Sequence, residues 1–442
     1  MPEWSHVRLG DLVTIKHGYA FKGEHICDEP AVDILLTPGN FAIGGGFKGG
    51  KLKFYVGEVS EEFVLSPRDL LVTMTDLSKG GDTLGYPAWV PDWDGCRFLH
   101  NQRLGLVQVN DFSRLDPSFL YYVLCSRAYR NEVLASATGS TVRHTSPSKI
   151  RAFSFSIPPL QEQQNISDVL NALDDKIELN LRMNETLEAI ARTLFKSWFI
   201  DFDPVRAKLA GRAPACADAT TSASLFPDEL DMVGIPKGWR QAALGSWVEA
   251  LSGGTPSKSD PALWNGTVPW ISPKVMVDLH ADRAEAHVAE SAIGNGTRLA
   301  PAGSTLVMVR GMGLHEKVRV SQARRDVTFN QDVKALVPRG IEPSLLFFAL
   351  LHAQEKLLEK VESSGHGTGK LPTEILLGYE LTMPPEVVQA RLTQIFDSIG
   401  DRIAVAREES RTLAALRDAL LPGLLSGQLR IRDAEREVEK VA

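Results

Sequence analysis

The sequence predicts an α+β protein: two similar mixed α/β domains separated by two long helices that form an antiparallel coiled-coil spacer. Three observations predict it. The chain is written twice in the same order. Each half opens with Gly- and Pro-punctuated short apolar runs of strand length, and each half closes on a long amphipathic stripe that follows a double proline.

The repeat comes first because it decides the architecture. Trp4-x4-Leu9-Gly10 recurs as Trp239-x4-Leu244-Gly245, and Asn101-Gln102 before an alternating apolar run recurs as Asn330-Gln331. Asp116-Pro117-Ser118-Phe119 answers Glu342-Pro343-Ser344-Leu345 at an offset of 226, and Ile157-Pro158-Pro159 answers Met383-Pro384-Pro385 at the same offset. The register persists through Asp175-Lys176-Ile177 and Asp401-Arg402-Ile403. A shared order at nearly constant spacing implies one fold used twice with an internal pseudo-two-fold relation.

Within each half, runs such as Asp69-Leu-Leu-Val-Thr-Met74 and Ser304-Thr-Leu-Val-Met-Val309 predict strands. A short helix is expected at 117–135 and at 343–362, followed by a polar Gly/Ser/Thr loop and a last strand. The first long helix is expected over 160–202, with Leu170, Leu173, Ile177, Asn180, Asn184 and Leu187 on one stripe. Buried Asn in such a seam fixes register at some cost in stability. Pro204 is expected to end that helix, because the residue before a proline is pushed out of helical geometry. The second helix is expected over 386–421, with Phe396, Ile399, Ile403 and Leu413 on its stripe and Pro422 as its stop. Each is roughly 50–60 Å long at 1.5 Å per residue. Two unpartnered stripes in one chain are most simply covered by packing on each other, antiparallel.

The expected organisation is therefore a first domain at 1–157, a helical segment at 158–206, a small-residue linker at 207–235, a second domain at 236–383, a helical segment at 384–430 and a flexible mixed-charge tail at 431–442. The net charge of −7 is concentrated: residues 157–235 carry 7 basic and 13 acidic side chains, whereas both domains are near neutral. A basic face on each domain is thus compatible with the acidic whole. Cys27, Cys96, Cys125 and Cys216 are far apart with no CxxC pair, which suits a reducing cytoplasm and argues against a zinc knuckle. The N-terminal residues lack the basic-then-apolar pattern of a signal peptide, and no apolar run has the length of a membrane span. No membrane association is expected.

Signatures of catalysis are missing. There is no GxxxxGK[ST] loop, no strand–GxGxxG–helix context, no HExxH and no Asn/Asp-Pro-Pro-aromatic motif of amino-methyltransferases. Asp174, Asp175, Lys176 and Glu178 lie on the long helix, as a solvated face would. The pattern predicts a binding protein without catalytic, metal or cofactor residues of its own.

The connectors carry a more specific signal. Ile157-Pro-Pro-Leu-Gln-Glu-Gln163, Leu194-Phe-Lys-Ser-Trp-Phe-Ile-Asp-Phe-Asp-Pro-Val-Arg206 and Leu424-Leu-Ser-Gly-Gln-Leu429, together with the duplicated plan, resemble the specificity subunit of type I restriction–modification systems. The resemblance spans the whole chain, although the second connector lacks the Trp-Phe-x-Asp-Phe-Asp string. It implies two target-recognition domains that read a split, asymmetric site on double-stranded DNA. It also implies two methyltransferase subunits, which bring S-adenosylmethionine, and two restriction/translocase subunits, which bring ATP and Mg. Phe195, Trp198, Phe199 and Phe202 fall where the methyltransferase subunits are expected to dock; they are equally compatible with core anchors.

Base-reading residues do not transfer by motif in this family and are chosen by chemistry. In the first domain they are Lys48, Lys51, Lys53, Lys79, Thr83, Tyr86, Arg143 and His144. In the second they are Ser257, Lys258, Lys274, Arg310, His315, Lys317, Arg319, His366 and Lys370. Asn101-Gln102 and Asn330-Gln331 have the amide chemistry of adenine readers, but their recurrence at framework positions favours a structural role. Two other readings stay open: a single-chain or fused restriction enzyme, and a scaffold that binds proteins rather than DNA.

Overall fold

The structure is a computed structural model that describes residues 4–212, 225–363 and 367–440. The chain divides into two compact units, one of Met1–Leu179 with Glu409–Ala442 and one of Asn180–Glu408. Each unit therefore holds one repeat's strand-rich domain, part of the helix that follows it and part of the other repeat's helix.

In the first unit, Val13–His17, Leu104–Val109, Leu70–Thr73 and Pro87–Trp89 form an antiparallel four-stranded sheet in that order. A five-stranded sheet of shorter strands includes a parallel pair, Asp33–Leu35 with Arg97–Leu99. The domain is closed by its ends: Ser5–Arg8 pairs antiparallel with Ser154–Ile157. Leu9 and Gly10 follow directly on this closure. Leu9 is fully buried, its N–H donates to the Phe153 carbonyl at 2.8 Å, and a Cβ at Gly10 would lie 2.9 Å from the Arg151 carbonyl oxygen.

The second unit repeats the plan. Val248–Ser252, Val333–Pro338, Thr305–Met308 and Val320–Gln322 make the antiparallel sheet, and a second sheet carries the parallel pair Val268–Ile271 with Val327–Phe329. Arg240–Ala243 pairs with Glu380–Met383, and Leu244 donates its N–H to the Tyr379 carbonyl at 2.7 Å. The paired glutamines of the connectors explain their own recurrence. The Gln163 side chain bridges the Asp116 N–H and the Arg114 and Pro158 carbonyls; Gln389 does the same for the Glu342 N–H and the Gly340 and Pro384 carbonyls. Each locks the start of a long helix to the short helix of its own domain.

The long helices run Leu160–Phe199 and Glu386–Leu425. In the first unit Leu170 and Leu173 are buried, with half-buried Ile177 beside them, in one cluster with Leu413, Leu420 and Leu424. In the second unit Ala191 and Phe195 share a cluster with Phe396, Ile399 and Ile403, and half-buried Leu187 packs on it. In the first unit Asp174 pairs with Arg417 and Lys176 with Glu409, so the two helices run antiparallel there. Asn180 and Asn184 are both buried on the stripe.

Four expectations need correcting. The first long helix stops at Phe199, and Pro204 instead opens a short helix, Asp203–Leu209, where its missing N–H removes no bond. Pro422 does not stop the second helix, which continues to Leu425; the extra turn buries Leu424 against the first domain's core. The helix expected at 117–135 is two helices, Pro117–Cys125 and Arg127–Ser136, separated at Ser126, whose hydroxyl caps the second. The tail is not frayed: Ile431–Glu439 is a helix, with Ala434 buried and Ile431 and Val438 packed on the core of the first unit. In the 207–235 segment, Leu225 and Phe226 are buried in the core of the second unit; Cys216 and His366 lie outside the described residues.

Candidate nucleic-acid interface

The polar loop that follows the short helix in each domain folds back onto the strand that leaves the antiparallel sheet. In the first unit Arg143–His144 pairs with Thr75–Asp76, placing Arg143 opposite Asp76 and His144 opposite Thr75. In the second, Gly369–Lys370 pairs with Arg310–Gly311, placing Lys370 opposite Arg310. His144 and Lys370 stand 226 residues apart, the offset of the repeat. Residues chosen separately for their chemistry thus share one structural position in both copies.

The first of these strand pairs, hairpin-like in shape although its two strands are distant in sequence, is held by Asp76. Its carboxylate accepts from the Ser78 N–H at 2.6 Å and from both the N–H (2.5 Å) and the hydroxyl (2.6 Å) of Thr83. Burial alone would raise this carboxyl, but the Thr83 and Ser78 hydrogen bonds outweigh it and hold it below its ordinary range. Thr83 is therefore consumed in shaping the loop. Arg143 Nε donates to the Lys79 carbonyl at 3.3 Å, and His144 Nδ1 lies 3.2 Å from the Thr75 hydroxyl. Lys79 and His144 are exposed, whereas Tyr86 is half-buried beneath the Arg130 guanidinium, 4.5 Å from its ring centre.

The second hairpin is more basic. Arg310 and Lys370 are exposed and directly opposed; Lys370 has Glu362 on its other side, but Arg310 lies on the edge strand with no acidic cross-strand neighbour. Like charges directly opposed across strands destabilise a sheet. His315 closes the site by placing Nε2 at 2.8 Å from the Gly367 carbonyl. Gly311 has φ of +141°, a conformation that L side chains rarely adopt.

Other candidates are engaged elsewhere. Lys53 and Lys51 both pair with Asp28, at 2.5 and 3.7 Å, and hold its carboxyl below the ordinary range. Lys274 pairs with Glu285 at 2.8 Å, and Arg319 donates to the Pro273 carbonyl at 2.6 Å. Lys48, Ser257, Lys258 and Lys317 are exposed outside the hairpin strands; the Ser257 hydroxyl lies 2.7 Å from that of Ser259. The recurring amide pairs divide. The Asn101 and Asn330 side chains accept from the N–H two residues on and shape their own turns. Gln102 and Gln331 are exposed, and Gln331 accepts from the Thr255 hydroxyl.

The aromatic candidates for subunit docking are buried within the chain. Phe195, Trp198 and Phe199 are each 1% exposed and Phe202 is 8% exposed, in the core of the second unit. Phe199 and Phe202 lie 5.6 and 5.7 Å from the Trp239 ring, while Trp198 lies 5.6 Å from Phe226 and 6.0 Å from Phe396. Most of their apolar area is covered by the chain itself. The corresponding seat in the first unit is made by the second connector: Gly427, with φ of +71°, lies under Trp4, and Leu429 packs on Gly423. Each opening tryptophan thus rests on the end of the other repeat's helix.

Cys27, Cys96 and Cys125 are free thiols, and burial pushes that of Cys125 up to about 12. Among the described residues no three His, Cys, Asp or Glu side chains come together as a metal site, and no helix is long and apolar enough to cross a membrane.

Comparison with known proteins agrees with this plan. The family described as type I restriction modification DNA specificity domain matches residues 1–189 and 236–414. The HindI specificity subunit of Haemophilus influenzae, a type I restriction enzyme component, is 29% identical over a match covering 71% of this chain and 77% of its own length. The MjaIX specificity subunit of Methanocaldococcus jannaschii is 27% identical over 71% of this chain and 69% of its own. The crystal structure of a type I restriction–modification S subunit from M. genitalium shares the fold, with a TM-score of 0.55 and 16% identity across 95% of this chain and 96% of that one. With the family match falling on both repeats, the chain belongs to the type I restriction modification DNA specificity family and carries its domain twice.

Proposed function

We propose that this chain is the non-catalytic specificity subunit of a type I restriction–modification complex, and that each of its two domains reads one half of a split DNA site through its hairpin. The observation that carries the reading is the recurrence of the hairpin at one structural position with different residues: Thr75, Asp76, Arg143 and His144 in one copy, Arg310, Gly311, Gly369 and Lys370 in the other. The same scaffold with different contact chemistry reads two unlike half-sites, so the whole site is asymmetric. Exposed cations at the hairpins hold phosphates and fix register, while side chains reaching base edges select sequence.

One domain makes only a few base contacts, each good bidentate pair discriminating by about 1–3 kcal/mol. Joining two readers in one chain makes the second encounter intramolecular, so selectivity compounds. The chain directs two methyltransferase subunits, the carriers of S-adenosylmethionine, and two restriction subunits, the carriers of ATP and Mg, to that site in the cytoplasm. It binds none of these cofactors itself.

The test is a methylation map of a host carrying the chain with its methyltransferase, compared with the same host lacking the chain. A gapped, asymmetric methylated motif that disappears with the chain is expected. A continuous motif would mean that only one domain reads DNA. An unchanged map would refute the function, and methylation or cleavage by the chain alone would make it an enzyme.

A further inference from the structure

A single exposed leucine on a protein surface says nothing by itself. Leu77 and Met312 are a different case, because they occupy the same place in the two repeats. Leu77 directly follows the hairpin strand Thr75–Asp76, Met312 directly follows Arg310–Gly311, and each side chain is 67% exposed. Around them the repeats have diverged: Thr75-Asp76 has become Arg310-Gly311, and His144 has become Lys370. The large apolar side chain is the feature both keep.

Neither residue is carried on a loose loop. The turn after Leu77 is pinned by the Asp76 hydrogen bonds to Ser78 and Thr83, by the Asp82 N–H donating to the Ser78 hydroxyl at 2.7 Å, and by Leu84, which is fully buried. Met312 opens a 3-10 turn, Met312–His315, anchored by fully buried Leu314 and by the contact of His315 with the Gly367 carbonyl. Both side chains are thus presented rigidly in water, beside Lys79, Arg143 and His144 in one unit and beside Arg310, His315 and Lys370 in the other. An apolar tip next to a basic strand pair, with Arg143 and Lys79 in one unit and Arg310 and Lys370 in the other, suits a surface that is anionic at its rim and offers an apolar group at its floor. The major groove of duplex DNA has that character: phosphates line its edges, and the thymine C5 methyl is the apolar group displayed on its base edges.

Building on the DNA-reading function proposed above, we infer that Leu77 and Met312 are specificity-determining residues, each packing on a thymine methyl in the half-site read by its own domain. Burying one methyl group favours binding by about four-fold. The contact adds selectivity for T over C at one position, without a hydrogen bond.

The experiment uses the full chain assembled with its methyltransferase subunit and a duplex containing the mapped site. Each thymidine is replaced in turn by deoxyuridine, which removes the methyl and leaves the pairing intact. The wild-type complex is expected to lose affinity about four-fold at one thymidine in each half-site. Leu77→Ser is expected to abolish that sensitivity in one half-site and Met312→Ser in the other, with Leu77→Met retaining it. Because both side chains are exposed, the serine variants leave the cores intact. Unchanged sensitivity in the serine variants, or a wild-type complex indifferent to every replacement, overturns the inference while leaving sequence-selective binding in place. A wild-type complex that selects no duplex fails earlier, and overturns the DNA-reading function itself.

Discussion

Replacing Arg310 by Gln separates the needs of the fold from those of DNA binding. Arg310 lies on the edge of a three-stranded sheet, opposite Lys370, with no acidic neighbour across the strand; removing its charge leaves Lys370 facing Glu362 alone. Both cations are exposed, so screening keeps their repulsion small, and relieving it stabilises the second unit by about 0.5 kcal/mol. If the hairpin meets DNA phosphates, the same change removes one neutralised phosphate and lowers the slope of log affinity against log salt by about 0.9. Between about 50 and 200 mM salt that is a loss of salt sensitivity of about three- to four-fold. Urea unfolding followed by hydrogen exchange in the second unit measures the first effect; titration of the assembled complex with duplex DNA across salt concentrations measures the second. Stability rising while the salt slope falls is expected. A variant that is less stable, or one whose salt slope is unchanged, refutes the idea that this cation is held for DNA rather than for the sheet.

Three further outcomes follow from the packing. His100 is 1% exposed, with Nε2 3.0 Å from the Leu104 carbonyl, and burial lowers its titration from 6.5 to about 4. Its contribution is complete above the unfolded value and lost as pH falls from 6.5 through about 4; near pH 5 the first unit is less stable by about 2 kcal/mol, and His100→Asn flattens that dependence in urea titrations at two pH values. Trp198→Ala is expected to cost the second unit about 3–5 kcal/mol; a variant of unchanged stability that fails only to bind the methyltransferase subunit would mark Trp198 as a docking residue. Arg417 donates to Asp174 at 2.6 Å, and Asp174 also accepts from the Tyr122 hydroxyl at 2.8 Å, tying both helices of the first unit to its domain. Arg417→Met leaves that carboxylate short of its cation at a cost of about 2 kcal/mol, and a cycle with Asp174→Asn measures the coupling.

What the chain's primary structure determined by itself was whatever is periodic or repeated. The constant offset of Asp116-Pro117 and Glu342-Pro343, and of Ile157-Pro158 and Met383-Pro384, specifies one fold made twice. The stripe from Leu170 to Leu187 specifies a helix with one buried face, because a 3.6-residue period is a local property. Tertiary structure decided whatever depends on partners distant in sequence. The hairpin strands Arg143–His144 and Thr75–Asp76 are two residues each, too short for any alternation to be legible, and they exist because a loop folds back across the sheet. Lys53 looked free of partners until Asp28 was placed beside it, as did Thr83 until Asp76 was. Phe195, Trp198, Phe199 and Phe202 have the composition of a docking surface, and only the arrival of Trp239, Phe226 and Phe396 turned them into core. An aromatic run states how much apolar area must leave water; which surface removes it is settled only when the rest of the chain has folded around it.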